Sequence, residues 1–401
     1  MSWPTTPARF VLTEVDERGL RPGEDGELLS VSIGRGVVPR SESGSTQAAS
    51  EDTSQYKRCE PGQLALNRLR AFQGGIGVSD HLGLVSPDYA VFDIDASMDP
   101  RFVHYQTRSS WFVAEMTKRL RGIGDPGTSN VRTPRINVVD LGRIDMFTPP
   151  LDVQRKIADR LDAETERIDR LIAMNRQVLE TIARRVQSLT DNAFLPHMHR
   201  VAPLGYRALV MTSGIDKHTV DGQRQVRLCN YTDVYYSNEI TDSSPFMEAT
   251  CSNLEFDRLH LLPGDVVMTK DSETANDIAI PAVVRVSDPN LVLGYHNALL
   301  RPLPGGPTSD WLYWFLRTRV ARDFFGLKAR GVTRVGLRVE DIAGLRIPEA
   351  SRPEQESVVG KLWEAEAKSH RLAARVQEQI ELLETRRRSL VTAAVTGQID
   401  A

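Results

Sequence analysis

Cysteine is scarce in this chain of 401 residues: Cys59, Cys229 and Cys251 are odd in number and show no CxxC spacing. That excludes a disulfide framework and a cysteine-based zinc site, and a reducing cytoplasm is the expected compartment. Long apolar runs are missing. No stretch reaches the eighteen or more apolar residues of a membrane span, and the opening MSWPTTPARF lacks a basic start followed by an apolar core. Neither secretion nor a membrane partner is expected. An excess of one charge is absent as well: the formal net charge is −3, which argues against a surface devoted throughout to phosphate contacts.

The tools of catalysis are also hard to find. There is no GxxxxGK[ST] phosphate loop and no Asn/Asp-Pro-Pro-aromatic motif of an amino methyltransferase; Thr148-Pro149-Pro150-Leu151 reads as a helix start with proline near its first turn. Gly74-Gly75-Ile76-Gly77 lacks a strand-to-helix context and reads as a tight turn. His197-Met198-His199 has no third ligand nearby, so a solvated linker is expected there. Asp271, Glu273 and Asp277 could suggest a nuclease, but without an accompanying carboxylate-lysine constellation they read as a polar loop after a strand. The chain is therefore expected to be non-catalytic, with no cofactor or metal of its own.

What is present is order on a larger scale. At 40% hydrophobic and 26% charged residues the composition is that of a folded protein, and the length calls for at least two cores. Charge is unevenly spread. Between Arg317 and Arg338 seven basic residues face the single acid Asp323, and between Lys118 and Arg135 five face Asp125. Each basic island precedes a long charged helix, and the two regions superpose at a constant offset: Asp140 with Asp341, Gln154 with Gln355, Leu189 with Leu390, all 201 apart. Upstream, Pro61-Gly62 matches Pro263-Gly264 at an offset of 202, so the repeat embraces whole domains. Within them LLSVSI, LALNRL, DVVMTK, AVVRV and HNALLRPL read as strands, whereas WFVAEMTKRL and DWLYWFLRTRVARDFF carry helical spacing.

The long helices, from Pro149 to Leu189 and from Arg352 to Val395, show heptads. A seam is predicted through Ile157, Leu161, Ile168, Leu171, Val178, Ile182 and Leu189, with Glu164, Asn175 and Arg185 filling the remaining places. In the second helix it runs through Val358, Leu362, Ala365, Leu372, Val376, Leu383, Leu390 and Ala394, broken by Ser369, Gln379 and Arg387. The connection after the first helix favours an antiparallel return. The expected fold class is α+β: two similar mixed α/β heads joined by two long antiparallel helices as a coiled coil, related by a pseudo-twofold. Residues 1–150 form the first head, 151–195 the first helix, 196–350 the second head and 351–401 the second helix. About forty residues of helix give a spacer of roughly 60 Å.

The paired segments PPLDVQRKIADRLDAETERIDRLIA and EQESVVGKLWEAEAKSHRL…IELLETRRRSLVTAAVTGQID resemble the two helical regions of the specificity subunit of type I restriction-modification enzymes. The heads agree. Tyr56 to Phe92 resembles one class of target recognition domain, and PGDVVMTKDSETANDIAIPAVV with GYHNALLRP resembles another. The likeness covers nearly the whole chain; Ser351-Arg352-Pro353 and Ser369-His370 depart from the family pattern of Pro-Pro starts and Ile-Asp pairs. The resemblance implies a cytoplasmic bacterial or archaeal protein whose heads each read one half of a split, asymmetric site in double-stranded DNA. It also implies that catalysis resides in partners: two methyltransferase subunits using S-adenosylmethionine, and translocase/nuclease subunits using ATP and Mg. A methyltransferase-only or nuclease-fused system is the alternative within the class; a coiled-coil scaffold binding protein partners is the alternative outside it.

Reading bases in the major groove requires paired donors or acceptors: Arg or Lys for guanine, Asn or Gln for adenine, acids for cytosine. The first head offers Asn67, Arg68, Arg70 and Gln73 in one loop; the second offers Lys270, Asp271, Ser272, Glu273, Thr274 and Asn276. Each could equally be a solvated turn or an internal ion pair. Arg132, Arg135, Arg330, Arg334 and Arg338 suit phosphate contacts, whereas Arg317, Arg319 and Arg322 also fit a plain solvated helix face.

Overall fold

The computed structural model describes residues 3–21, 24–43, 53–120 and 134–399. The chain divides into two compact units, Met1–Arg176 with Gln377–Ala401, and Gln177–Val376. The division falls inside both long helices, Leu151–Phe194 and Arg352–Val395, each of 44 residues and 201 apart.

In the first unit, a four-stranded antiparallel sheet runs Leu12–Val15, Tyr89–Ile94, Leu64–Asn67, Ile76–Val78. Its buried face (Leu64, Leu66, Ala90, Phe92) packs on helices Pro100–Arg108 and Ser110–Thr117 through Phe102, Val103, Phe112 and Met116. Those helices begin where the sequence supplies caps: the Asp99 carboxylate accepts from the Arg101 and Phe102 amides with Pro100 in the first turn, and Ser109 accepts from Phe112. A second sheet runs Gly36–Pro39, Glu27–Ser32, Gly83–Val85, Lys57–Cys59, its middle pair parallel. Ile157 and Leu161 of the first long helix and Val391, Ala394 and Val395 of the second complete the main core.

The second unit repeats the plan. Its main sheet runs Ala208–Thr212, Asn297–Pro302, Val266–Thr269, Pro281–Val284, with Glu239–Ile240 added in parallel at the edge. Arg224–Cys229 pairs in parallel with Leu291–Leu293, as Glu27–Ser32 does with Gly83–Val85. The matched Pro-Gly turns enter equivalent central strands, with Gly62 at φ +88° and Gly264 at φ +94°, a conformation that favours glycine. Helices Ser309–Leu316 and Arg319–Lys328, capped by Thr308 and Thr318, take the place of the first unit's pair. Trp311 through Leu316 are buried all round, which explains why that stretch shows so little amphipathic pattern.

Within the first unit the long helices are antiparallel. Arg387 Nε lies 3.0 Å from Asp169 Oδ1 and Arg176 3.5 Å from Glu384, so one helix ascends as the other descends. The seam requires a correction. Ile157, Leu161 and Ile168 are inward as predicted, but Leu171, Val178 and Leu189 are 40–42% exposed, and their neighbours Ile172, Leu179 and Thr190 turn inward. The second helix shifts likewise: Leu362 and Val376 are buried, but Leu372 is 49% exposed, whereas Val359, Glu366, Ile380 and Val391 are buried. Alternate seam positions lie four and then three residues on, rather than three and then four. This register keeps Glu164 and Arg185 out of the seam, where a charge would be desolvated. Its one buried acid, Glu366, is 2.6 Å from the Arg317 guanidinium.

Candidate nucleic-acid interface

Each head is fastened to its long helix by the same glutamine. Gln154 Oε1 accepts from the Asp99 amide at 2.8 Å and its Nε2 donates to the Pro149 carbonyl at 2.8 Å. Gln355 does the same with the Thr308 amide at 2.7 Å and the Ala350 carbonyl at 2.9 Å. Both are buried, so these bonds fix the helix start against the head's capping residue.

From this frame the loops after the central strands emerge at equivalent places. In the first head the Ile136 amide donates to the Arg68 carbonyl at 3.2 Å; in the second the Leu337 amide donates to the Lys270 carbonyl at 2.9 Å. Each polar loop is thus stitched to the end of the basic segment that precedes the next helix. Arg68 is brought beside Arg135, and Lys270 beside the Arg330–Gly336 turn.

In the second head the loop lines a cavity of 640 Å³ together with Tyr231, Tyr235, Tyr236, His296 and Arg334. Asp271 is its hub: Oδ2 lies 2.6 Å from Lys270 Nζ and 2.5 Å from His296 Nδ1, and His296 Nε2 is 2.9 Å from Arg334 Nη1. A guanidinium only donates, so His296 Nε2 accepts from it and Nδ1–H faces the carboxylate. Asp277 accepts from the Tyr235 hydroxyl at 2.8 Å and thereby pushes its pKa up to about 12. Burial raises that of Tyr231. Ser272 and Glu273 line the cavity; Thr274 and Asn276 are exposed on the loop outside it. Arg338 is exposed and lies 3.7 Å from Glu340, and Arg330 is exposed, its backbone paired with Gly336.

The first head is built differently at the same place. Asn67 is buried, its Nδ2 donating to the Tyr89 hydroxyl at 3.1 Å and its Oδ1 accepting from the Leu69 amide at 3.2 Å, so its amide is engaged inside the fold. Arg70 is exposed, and with Arg40 it pulls against the burial that raises the Tyr89 pKa. Gln73 lines a separate cleft of 1170 Å³ with Arg35, His104, Arg108, Arg387 and Arg388. Burial lowers the Arg108 pKa to about 10, with Arg387 adding repulsion; its Nη2 donates to the Ile33 carbonyl at 3.1 Å. Burial, then Arg108, holds His104 at about 3, and its Nδ1 accepts from the Val78 amide. The result is an electropositive cleft suited to phosphate oxygens. Arg135 is exposed, and Arg132 lies outside the described residues.

Three of the seven basic residues of the second island serve the frame. Arg317 meets Glu366 and stacks over Trp314 at 4.6 Å, the Arg319 amide donates to Asp191 at 2.7 Å, and Arg322 donates to Gln187 at 2.5 Å. Sequence reasoning missed His296 and the tyrosines of the second cavity. Three tyrosines within Tyr231–Tyr236, in a chain only 6% aromatic, were the available signal.

No family model matches the chain, and no curated protein matches it. Solved structures do. The chain is similar, at 16% identity and a TM-score of 0.73 over 99% of its length and 98% of the other, to a chain from a study of complex assembly and conformational transition of the type I R-M system. Two further chains are weaker likenesses: the HsdS subunit from Thermoanaerobacter tengcongensis, at 16% identity and TM-score 0.47 over 99% and 97%, and a type I restriction-modification S subunit from M. genitalium, at 14% identity and TM-score 0.36 over 98% and 96%. With its two repeated heads and two long helices, this chain shares the fold of a chain of the type I R-M system.

Proposed function

We propose that this chain is the DNA-recognition subunit of a type I restriction-modification complex and that each head reads one half of a bipartite, asymmetric site. One observation carries the reading: in both heads an equivalent backbone hydrogen bond, Ile136 to Arg68 and Leu337 to Lys270, joins the polar loop to the end of the basic segment. Base-reading groups and phosphate-binding cations then share one surface, twice in one chain. The chemistry belongs to partners: two methyltransferase subunits bringing S-adenosylmethionine, and translocase/nuclease subunits bringing ATP and Mg, in the cytoplasm of a bacterium or archaeon. The chain itself selects the site and is not an enzyme.

The long helices act as a ruler. A continuous 44-residue helix measures about 66 Å, and a paired helix is far stiffer than a Gly/Ser linker, which would accept many gap lengths. Mapping N6-methyladenine across the host genome tests the reading: a two-part motif is expected that disappears when the gene is deleted. Its persistence in the deletion strain would falsify the assignment. Inserting four residues near Ala173, about one helical turn, lengthens the tolerated gap by a base pair or so; an unchanged gap in a stable variant counts against the ruler.

A further inference from the structure

The geometry points to Arg334 as a specificity-determining residue that reads the guanine of a G·C pair through its O6 and N7, with Glu273 of the same cavity accepting from the amino group of the paired cytosine. This rests on the DNA-recognition reading above and assigns one base pair within it.

Arg334 is exposed, yet its place is built. The Arg330 and Gly336 backbones exchange two hydrogen bonds, at 3.1 and 2.9 Å, closing a short turn that presents Arg334. The strand Val335–Gly336 pairs with Asp271–Ser272, and a Cβ at position 336 would meet Asp271 Oδ1 at 2.5 Å, so turn and loop lie in direct contact. Asp271 then aims His296, and His296 Nε2 holds one nitrogen of the guanidinium at 2.9 Å. His296 itself sits at φ +70°, a backbone conformation uncommon outside glycine, and its carbonyl accepts from the Lys270 amide at 2.8 Å. Among the described residues Arg334 has no carboxylate within ion-pair distance. One edge of its fork is therefore fixed and the rest remains open, which is the preparation that two-point recognition of a planar acceptor requires.

A phosphate is the other planar-fork partner, and the surroundings disfavour it. Among the charged side chains lining the cavity, Asp216, Asp271, Glu273 and Asp277 outnumber Lys217 and Arg334, which disfavours an anion. A G·C pair fits them, because its major-groove edge places two acceptors beside an amino donor. Arg334 takes the acceptors. Glu273, exposed and without an ion pair among the described residues, takes the donor.

The test uses the full chain co-expressed with its partner subunits, with N6-methyladenine mapped genome-wide for the wild type, Arg334→Lys, Arg334→Ala, Glu273→Gln, His296→Ala and His296→Gln. Lysine keeps the charge for a phosphate but loses the two-point fork. Arg334→Ala should relax one G·C position of one half-site, lowering the preference there about 5- to 150-fold and leaving the other half-site unchanged, and Arg334→Lys, which can still donate to guanine but lacks the fork, should relax the same position less. Glu273→Gln should relax the same position more weakly. His296→Ala should relax it too, whereas His296→Gln, which keeps an acceptor facing Arg334, should largely restore it. The assignment is overturned if Arg334→Lys behaves as wild type while Arg334→Ala weakens all sites evenly, the signature of a phosphate contact. A wild-type motif without G·C in either half-site also overturns it. Methylation that never depended on this gene would instead sink the recognition reading itself.

Discussion

The two heads share a frame and differ in the chemistry they hang on it. Gln154 and Gln355 make the same pair of hydrogen bonds, and the strand order around the central strand is the same. About two turns of helix further along, the likeness ends. Asp162 of the first long helix accepts from the Tyr105 hydroxyl at 2.7 Å and from Arg101 at 2.8 Å; 201 positions later Trp363 stacks on Tyr313 with ring centroids 5.2 Å apart. Past the central strand Arg68 and Lys270 keep a basic residue in common, but Arg70 and Gln73 stand where the second head has Ser272 and Ala275. What repeats is what fastens head to helix. What varies is the loop, as expected if each head serves a different half-site.

The largest break in the comparison is expected at the helix contact. Trp363→Ala removes a stacked ring and should destabilise the second unit by about 3 kcal/mol in denaturant unfolding, little affected by salt. Asp162→Asn touches an exposed polar clamp, should cost less than about 1 kcal/mol, and should fade as salt rises. Equal losses with equal salt dependence would show that the two contacts are not different in kind.

The shared anchor offers a sharper test at intermediate size. Gln154→Leu and Gln355→Leu each strand a buried amide and carbonyl, at a cost of about 1–3 kcal/mol. The two losses should match, with faster hydrogen exchange at the Asp99 amide in one variant and the Thr308 amide in the other. If one variant is neutral, the anchor is not common to both heads.

The smallest effect separates the heads by pH. His104 has a pKa of about 3 against an ordinary 6.5, so folding favours the neutral ring. The resulting stabilisation is full above about pH 6.5 and is lost as pH falls from there toward about 3. Tyr313 stands at the matching place after the second head's helix cap. Hydrogen exchange should therefore show the first unit loosening between pH 7 and 5 and His104→Asn flattening that slope, since the asparagine oxygen can still accept the Val78 amide. An unchanged slope in His104→Asn assigns the acid sensitivity to other groups.

Much of the frame was legible because it rests on local rules. The second long helix runs Arg352–Val395 as read, the first begins at Leu151, and the Pro-Gly turns fell where glycine's positive φ was needed. DWLYWFLRTRVARDFF, read as one helical stretch, is two helices parted at the Thr318 cap, and Pro100–Arg108 was not read at all. The seam was displaced at alternate positions because Leu171, Val178 and Leu372 are the more obvious apolar residues, while the buried choice depends on which row carries fewer charges across both helices. The loop of the second head was visible in sequence, but its cavity was not. Asp271 meets His296 25 positions away and Arg334 beyond that, a meeting made by strand pairing rather than by any motif.

Val391, Ala394 and Val395 close the core that Leu64 and Phe102 begin, and Gly397 comes against the indole of Trp3. The second compact unit, by contrast, is one uninterrupted stretch, Gln177–Val376. On the ribosome the order of completion is thus inverted: residues 1–176 must wait for residues 377–401, whereas the stretch Gln177–Val376 between them can finish as soon as it emerges.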